Sequence, residues 1–242
     1  MNKAEYEIAT STGPKLGLIV LRVDETIEGD FRHYFTADEA RLYVSRVRSG
    51  DRLTPESIHF MGQDLSQAAA LLPDVDFDVI GYACTSATAQ LGIDSVVQAL
   101  RQADHTTLVT DPLSAGVAFA TERGLKRIGL VSPYSDEVGQ PLIDALQRHG
   151  IDIVHSVSFG EETEASVAHI APRSTADAAR AIAKAHELDG IFLSCTNLQT
   201  QTILAPLSAE LNCPVFSSNQ ALAWHMRRLS GLQDHEISGS AT

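Results

Sequence analysis

One local pattern occurs twice in this chain and limits what it can fold into. Val79-Ile80-Gly81-Tyr82-Ala83 is an apolar run that ends at Cys84-Thr85-Ser86, and Ile191-Phe192-Leu193-Ser194 ends at Cys195-Thr196-Asn197. Short apolar runs bounded by small polar residues suit central strands of a parallel sheet, which are buried on both faces. Thr followed by Asn or Ser suits the start of a helix, where such side chains cap free backbone N–H groups. A cysteine so placed sits at the carboxyl edge of a sheet and near a helix N-terminus. Open α/β sheets bind ligands at that edge, and a thiolate is stabilised there. The two cysteines are 111 positions apart, and two further landmarks recur at a spacing of 112: Leu16-Gly17-Leu18-Ile19 with Ile128-Gly129-Leu130-Val131, and Asp24-Glu25 with Asp136-Glu137. This shared register predicts a duplication rather than chance reuse of similar strands. Each half carries one Cys-Thr pair, and the cysteines face each other across a cleft.

The rest of the chain reads as alternating strands and helices. Strands are expected over 15–21, 41–47, 77–83, 106–110, 127–131, 151–158, 190–194 and 215–216. Helices are expected from Ile27 through Phe31 and Tyr34, and over 55–72, 90–102, 111–123, 136–149, 175–188, 200–211 and 220–229. Alternation of this kind gives right-handed βαβ units and a parallel sheet in each half. The expected fold class is therefore α/β, with two pseudo-symmetric doubly wound halves and the active site between them. The division runs as an N-terminal arm over 1–14, a half over 15–112, a half over 113–230 and a frayed tail over 231–242. Part of the last helix is expected to pack back on the first half. The loop Gly160-Glu161-Glu162-Thr163-Glu164 is long enough to reach over the cleft.

Composition narrows the class. The chain has 242 residues, 44% hydrophobic and 20% charged, enough for a sizeable core. Its net charge of −13 argues against nucleic acid, which requires clustered Lys and Arg. It leaves a small anionic substrate open, since backbone N–H groups and hydroxyls can hold one locally. No apolar stretch approaches a membrane span, and the polar N-terminus lacks the apolar core of a signal peptide. Three cysteines are too few for a disulfide framework and point to free thiols in a reducing cytoplasm.

Two thiols across a cleft suit chemistry at one carbon approached from opposite faces: one thiolate takes a proton or adds to a double bond while the other thiol supplies a proton. No cofactor is needed. Thr85, Ser86, Thr196 and Asn197 are candidate binders of carboxylate oxygens and of a developing enediolate, and Tyr134 can add a hydrogen bond from a neighbouring loop. Asp24 is read as a helix cap that also faces the ligand from the edge carrying Cys84. A buried cysteine is most often a small hydrophobe; for Cys213, ahead of Pro214, that reading wins. Metal ligation is disfavoured, with no H-E-x-x-H and no C-x-x-C among nine histidines and three cysteines. His33, His59, His149 and His186 read as solvated, and His225 is placed on the last helix, from which it can approach the cleft. There is no dinucleotide fingerprint and no G-x-S-x-G.

Leu16-Gly17-Leu18-Ile19-Val20 with Asp24-Glu25-Thr26-Ile27-Glu28, Cys84-Thr85-Ser86, Ser132-Pro133-Tyr134 and Cys195-Thr196-Asn197 together resemble the aspartate/glutamate racemase superfamily. The resemblance is greatest to its branch of maleate cis-trans isomerase, arylmalonate decarboxylase and the ectoine-utilisation protein A group, and it covers nearly the whole chain. It implies Cys84 and Cys195 as the catalytic pair and Thr85, Ser86, Tyr134, Thr196 and Asn197 as carboxylate binders. A homodimer or higher homo-oligomer is the family expectation. The chain departs from the pattern at three places. Asn197 stands where glutamate racemases carry His; Asp24 and Glu164 stand where maleate isomerases carry Asn. Two acids there would repel a second substrate carboxylate unless one is protonated, which weakens maleate itself and leaves room for an amino-acid derivative, as in ectoine breakdown. The activity implied is a cofactor-independent isomerase or racemase acting on a small carboxylate. The alternative is a decarboxylase that uses Cys195 as proton donor; Cys84 argues against it, since arylmalonate decarboxylases keep only the second cysteine. A two-lobed small-molecule sensor is the non-enzymatic rival.

Overall fold

In the computed structural model, which describes residues 3–8, 13–102 and 108–233, two four-stranded parallel sheets of the same topology stand side by side. The first half runs β1 (Lys15–Leu21), α1 (Ile27–Tyr34), β2 (Arg41–Val47), α2 (Pro55–Ala70), β3 (Val79–Ala83), α3 (Thr85–Leu91), α4 (Ile93–Arg101) and β4 (Val109–Thr110). Then α5 (Pro112–Glu122) leads into β5 (Arg127–Ser132), α6 (Asp136–Arg148), β6 (Asp152–Ser158), α7 (Glu164–Ala168), α8 (Pro172–Ala185), β7 (Gly190–Leu193), α9 (Gln201–Leu211), β8 (Val215–Ser217) and α10 (Ser218–Leu229). The strand orders β2-β1-β3-β4 and β6-β5-β7-β8 are the same order twice, with every pairing parallel.

The repeated glycine has a packing cause. A Cβ on Gly17 would lie 2.9 Å from Ile80 Cγ1 and 3.0 Å from Leu72 Cδ1, and one on Gly129 would lie 2.7 Å from Ile182 Cγ2 of α8. The missing side chains make room for the neighbouring strand and Leu72 at Gly17 and for α8 at Gly129. The second landmark behaves differently: Asp24 is buried, whereas Asp136 is exposed at the start of α6. The register of the duplication survives there without its environment.

Several expected boundaries shift. The helix expected over 90–102 is two helices, α3 and α4, divided at Gly92, whose φ of +86° breaks the first and starts the second. Helix α7 falls in what reads as loop. Thr196 and Asn197 lie in a turn, and the next helix begins only at Gln201. Cys84 is therefore the N-cap residue of α3, whereas Cys195 is not at a helix N-terminus. Of the strand expected over 106–110, Thr106 and Thr107 lie outside the described residues, as do 1–2 and 9–12 of the expected arm and 234–242 of the expected tail.

The halves are fastened to each other by α10 and by a pair of loops. Helix α10 returns to the first half: Arg227 Nη1 donates to Tyr34 O (3.0 Å), Arg227 Nη2 pairs with Glu39 Oε1 (3.0 Å), and Met226 fills the space above Gly81 of β3. The loops after β2 and β6 meet as a short antiparallel bridge, Arg52 with Thr163; Leu53 N donates to Glu162 O (2.8 Å) and Glu164 N to Asp51 O (3.0 Å). An Arg52–Glu162 ion pair lies over the same bridge. No helix among the described residues is long and apolar enough to cross a membrane.

Candidate active site

Strand β3 delivers Cys84 and strand β7 delivers Cys195 to the seam between the halves. Both are nearly buried, at 4% and 6% exposure, yet neither is sealed in its own half. Thr196 Oγ1 of the second motif donates to Ala83 O, next to Cys84 in the first (3.3 Å). Ionisation of Cys84 opposes ionisation of Cys195, and Tyr134 feels both thiols. The pair thus occupies one site.

The hydrogen bonds around the pair sort the candidate residues into two kinds. Thr85 Oγ1 is paired with Ser218 Oγ at the start of α10 (2.8 Å), so both threonine hydroxyls brace one half against the other. Asn197 is committed in the same way: its Oδ1 accepts from Glu25 N (2.9 Å), and its Nδ2 donates to Glu164 O (3.0 Å) and Glu164 Oε2 (3.1 Å). Its backbone N–H reaches Cys195 Sγ at 3.4 Å. These three side chains, expected to grip carboxylate oxygens, here make contacts that join the halves. Ser86 Oγ lies 3.7 Å from Cys84 Sγ, and Tyr134 is buried within reach of the charge on both thiols.

Asp24 behaves as a cap, its Oδ1 accepting from Thr26 N and Ile27 N, both at 2.9 Å. Its Oδ2 is buried and receives no hydrogen bond. The Thr196 hydroxyl lies close enough to favour the ionised form, but its one proton is directed at Ala83 O. Arg46 also favours it, from behind: Nη1 donates to the carbonyls of Leu21, Arg22 and Asp24, and Nη2 pairs with Glu28.

Burial dominates the electrostatics. It pushes the Cys84 thiol up to about 12, against opposing hydrogen bonds from Ala87 N and Ser86, and raises Cys195 well above the ordinary thiol range. Negative charge on Glu164 and Asp24 adds to both. The sequence argument that a helix N-terminus would lower these values is thus corrected: desolvation outweighs the dipole at Cys84, and Cys195 has no helix start beside it. Burial likewise raises the Asp24 carboxyl and carries Glu164 up to about 7, where Asp24 opposes its ionisation further. The two thiols therefore hold one negative charge more readily than two.

Some participants were not singled out in the sequence. Asn219 Nδ2 donates to Asp30 Oδ2 (2.7 Å) and to Thr196 O (2.8 Å), and the Asp30 carboxyl is carried by burial to about 6. Thr26 Oγ1 donates to Asn197 O (3.0 Å). The available signal was the polar run Ser217-Ser218-Asn219-Gln220 directly after an apolar strand, which follows the grammar of the two cysteine motifs. His225 is held by Thr110, with Nδ1 2.7 Å from Oγ1, and Cys213 is half-buried, apart from this network.

Comparison with known proteins gives a consistent picture. The family model for arylmalonate decarboxylase matches residues 100–241, more than half the chain and including Cys195. The arylmalonate decarboxylase of Bordetella bronchiseptica is 28% identical over 207 residues, covering 81% of this chain and 85% of the relative. The maleate isomerase of Pseudomonas putida is 22% identical over 236 residues, covering 90% and 92%. Among solved structures, the maleate isomerase Iso from Pseudomonas putida aligns with a TM-score of 0.84 at 22% identity, over 91% of this chain and 94% of that one, a likeness of fold.

Proposed function

This chain belongs to the arylmalonate decarboxylase family, and from that membership we propose that it is a cofactor-independent isomerase or racemase of a small carboxylate, working through Cys84 and Cys195. The observation that carries the reading is the pair itself: two thiols, one from each half, at a seam where Thr196 beside one bonds to Ala83 beside the other, and where charge on Cys84 opposes ionisation of Cys195. An enzyme that only protonates one face of an intermediate has no use for the second thiol.

In the isomerase form, the thiolate of one cysteine adds to an alkene carbon. A C–S bond forms, and the displaced π electrons move through the neighbouring carbon into its carboxylate. The former double bond rotates, the electrons return, the C–S bond breaks and the thiolate is restored. In the racemase form, one thiolate takes the α-proton and the other thiol returns a proton to the opposite face. Both forms need groups that steady an enediolate, for which Ser86, Tyr134 and the backbone N–H groups around the cysteines are suited. Neither needs a cofactor. The two free thiols suit a reducing cytoplasm, and a homo-oligomer is expected on light scattering. A role in ectoine breakdown is the physiological setting this reading favours, because Asp24 and Glu164 suit an amino-acid derivative.

A second reading, decarboxylation with Cys195 protonating the enediolate, is favoured by one observation: the family model that matches the chain, over a segment that includes Cys195, is that of arylmalonate decarboxylase. Candidate acids incubated in deuterated water and followed by NMR separate the outcomes. Cis-to-trans conversion marks the isomerase, α-deuteration with loss of optical activity the racemase, and loss of carbon dioxide the decarboxylase. Cys84→Ala should lower kcat at least a thousandfold on the first reading and leave it within about tenfold on the second. A sensor would show ligand-induced stabilisation with no turnover at all.

A further inference from the structure

The seam holds more acid than its chemistry requires. Asp24 and Glu164 come from opposite halves, are 3% and 4% exposed, and both oppose ionisation of both cysteines, as Asp24 opposes that of Glu164. Among the described residues, the cation recorded at this cluster is Arg46, and its guanidinium is already spent on the carbonyls ending β1 and on Glu28. Asp24 Oδ2 is left buried without a donor. The amide that could have served these acids, Asn197, gives both its Nδ2 protons to Glu164. A buried acceptor without a partner is costly, and a ligand that supplies the missing donor recovers that cost.

We infer that the substrate carries an N–H donor, an ammonium or an amide nitrogen, at the end facing Asp24 and Glu164, with its carboxylate at the other end beside Ser86 and Tyr134. This rests on the reading of the seam as an active site for a small carboxylate, and it names the class within it. Above about pH 7, where Glu164 gives up its proton, a dicarboxylate would set a second negative charge against buried acid with no cation between them. An N–H group meets an open acceptor on one half and a carboxylate on the other, so it is gripped only when the halves are closed. The specificity-determining residues are therefore Asp24 and Glu164, which distinguish the two ends of an unsymmetrical substrate. Asn197 is a positioning residue that sets the Glu164 carboxylate beside Cys195.

The test is a binding titration at pH 8 on Cys195→Ala protein, with three probes: maleate, its monoamide maleamate, and aspartate. The expected result is at least tenfold tighter binding of maleamate or aspartate than of maleate. Aspartate above maleamate identifies the donor as ammonium, and the reverse order as amide. Asp24→Asn/Glu164→Gln in the same background should reverse the preference toward maleate by at least tenfold; if that protein does not fold, Asp24→Asn alone should narrow it. Maleate binding as tightly as the nitrogenous probes, or no probe binding at all, overturns the inference. Turnover by the unaltered enzyme reports separately on the reading beneath it. A nitrogenous probe that binds but is neither isomerised nor racemised removes the proposed activity and leaves the donor inference standing. Preferential turnover of maleate does the opposite.

Discussion

The Glu164 carboxyl, carried by burial up to about 7, keeps its proton over a range in which an unfolded chain has already lost it. The sign of the linkage follows. The folded value lies above the unfolded value of 4.5, so the stabilisation is present in full below about pH 4.5 and is lost as pH rises through about 7. At about 1.4 kcal/mol per unit, the loss is up to about 3 kcal/mol. Glu164→Gln keeps an oxygen for Asn197 Nδ2 and removes its share of the titration, so its stability should fall by less than the parent's, with Asp24 and Asp30, also raised by burial, carrying the remainder. Urea midpoints at pH 5 and pH 8 measure this; an equal fall in both proteins would place the titration elsewhere. Asn197→Ala should cost about 2–3 kcal/mol, because it orphans the Glu25 N–H and leaves the Glu164 carboxylate without its donor. The motifs made these residues visible in the sequence. That several of them also join the halves was not visible, because that depends on partners up to 172 positions away, as for Glu25 and Asn197.

At the scale of elements, the inner strands were legible because β1, β3, β5 and β7 are nearly continuous apolar runs that the duplication repeats. Strands β1 and β2 fall where the pattern places them, and β3 starts two residues late. The misses share a cause. Helix α3 is built from small residues, Thr-Ser-Ala-Thr-Ala-Gln-Leu, and is buried along most of its length, so it shows no amphipathic period. Helix α7 is five residues long and displays no period at all. The turn at Thr196 was read as a helix start because Thr and Asn serve both, and only the tertiary bonds of Asn197 decide between them. The same scale carries a packing prediction. Gly129→Ala drives a methyl group against Ile182 at 2.7 Å, so β5 and α8 must separate, at a cost of about 1–3 kcal/mol in urea unfolding. Gly17→Ala should behave alike in the first half, since the two glycines do the same job. A neutral outcome at both would mean that the covering layer is looser than the structure shows.

For the whole molecule, the strap between the halves matters most, because it couples closure to the contents of the site. Glu164 begins α7 in the second half, but its backbone N–H is held by Asp51 O of the first, and Leu53 N is held by Glu162 O in return. Separating the halves would break both bonds and withdraw the Glu164 carboxylate from the cysteines in one movement. The side-chain closure of the strap, Arg52 with Glu162, is largely exposed, so in water it contributes no more than about 1 kcal/mol. Arg52→Glu exchanges that attraction for a like-charge contact without touching the core or the cysteines. The strap should then open more often: the Leu53 and Glu164 amides should exchange with deuterium about three- to tenfold faster, while protection of β1 and β5 amides stays unchanged. KM should rise by a similar factor with kcat nearly constant, because the chemistry in the closed state is intact and only its population falls. If exchange at Leu53 and Glu164 keeps its parental rate, the two backbone bonds hold the strap by themselves and the ion pair above them is incidental; if kcat falls with KM fixed, Arg52 acts on the reaction and not on closure.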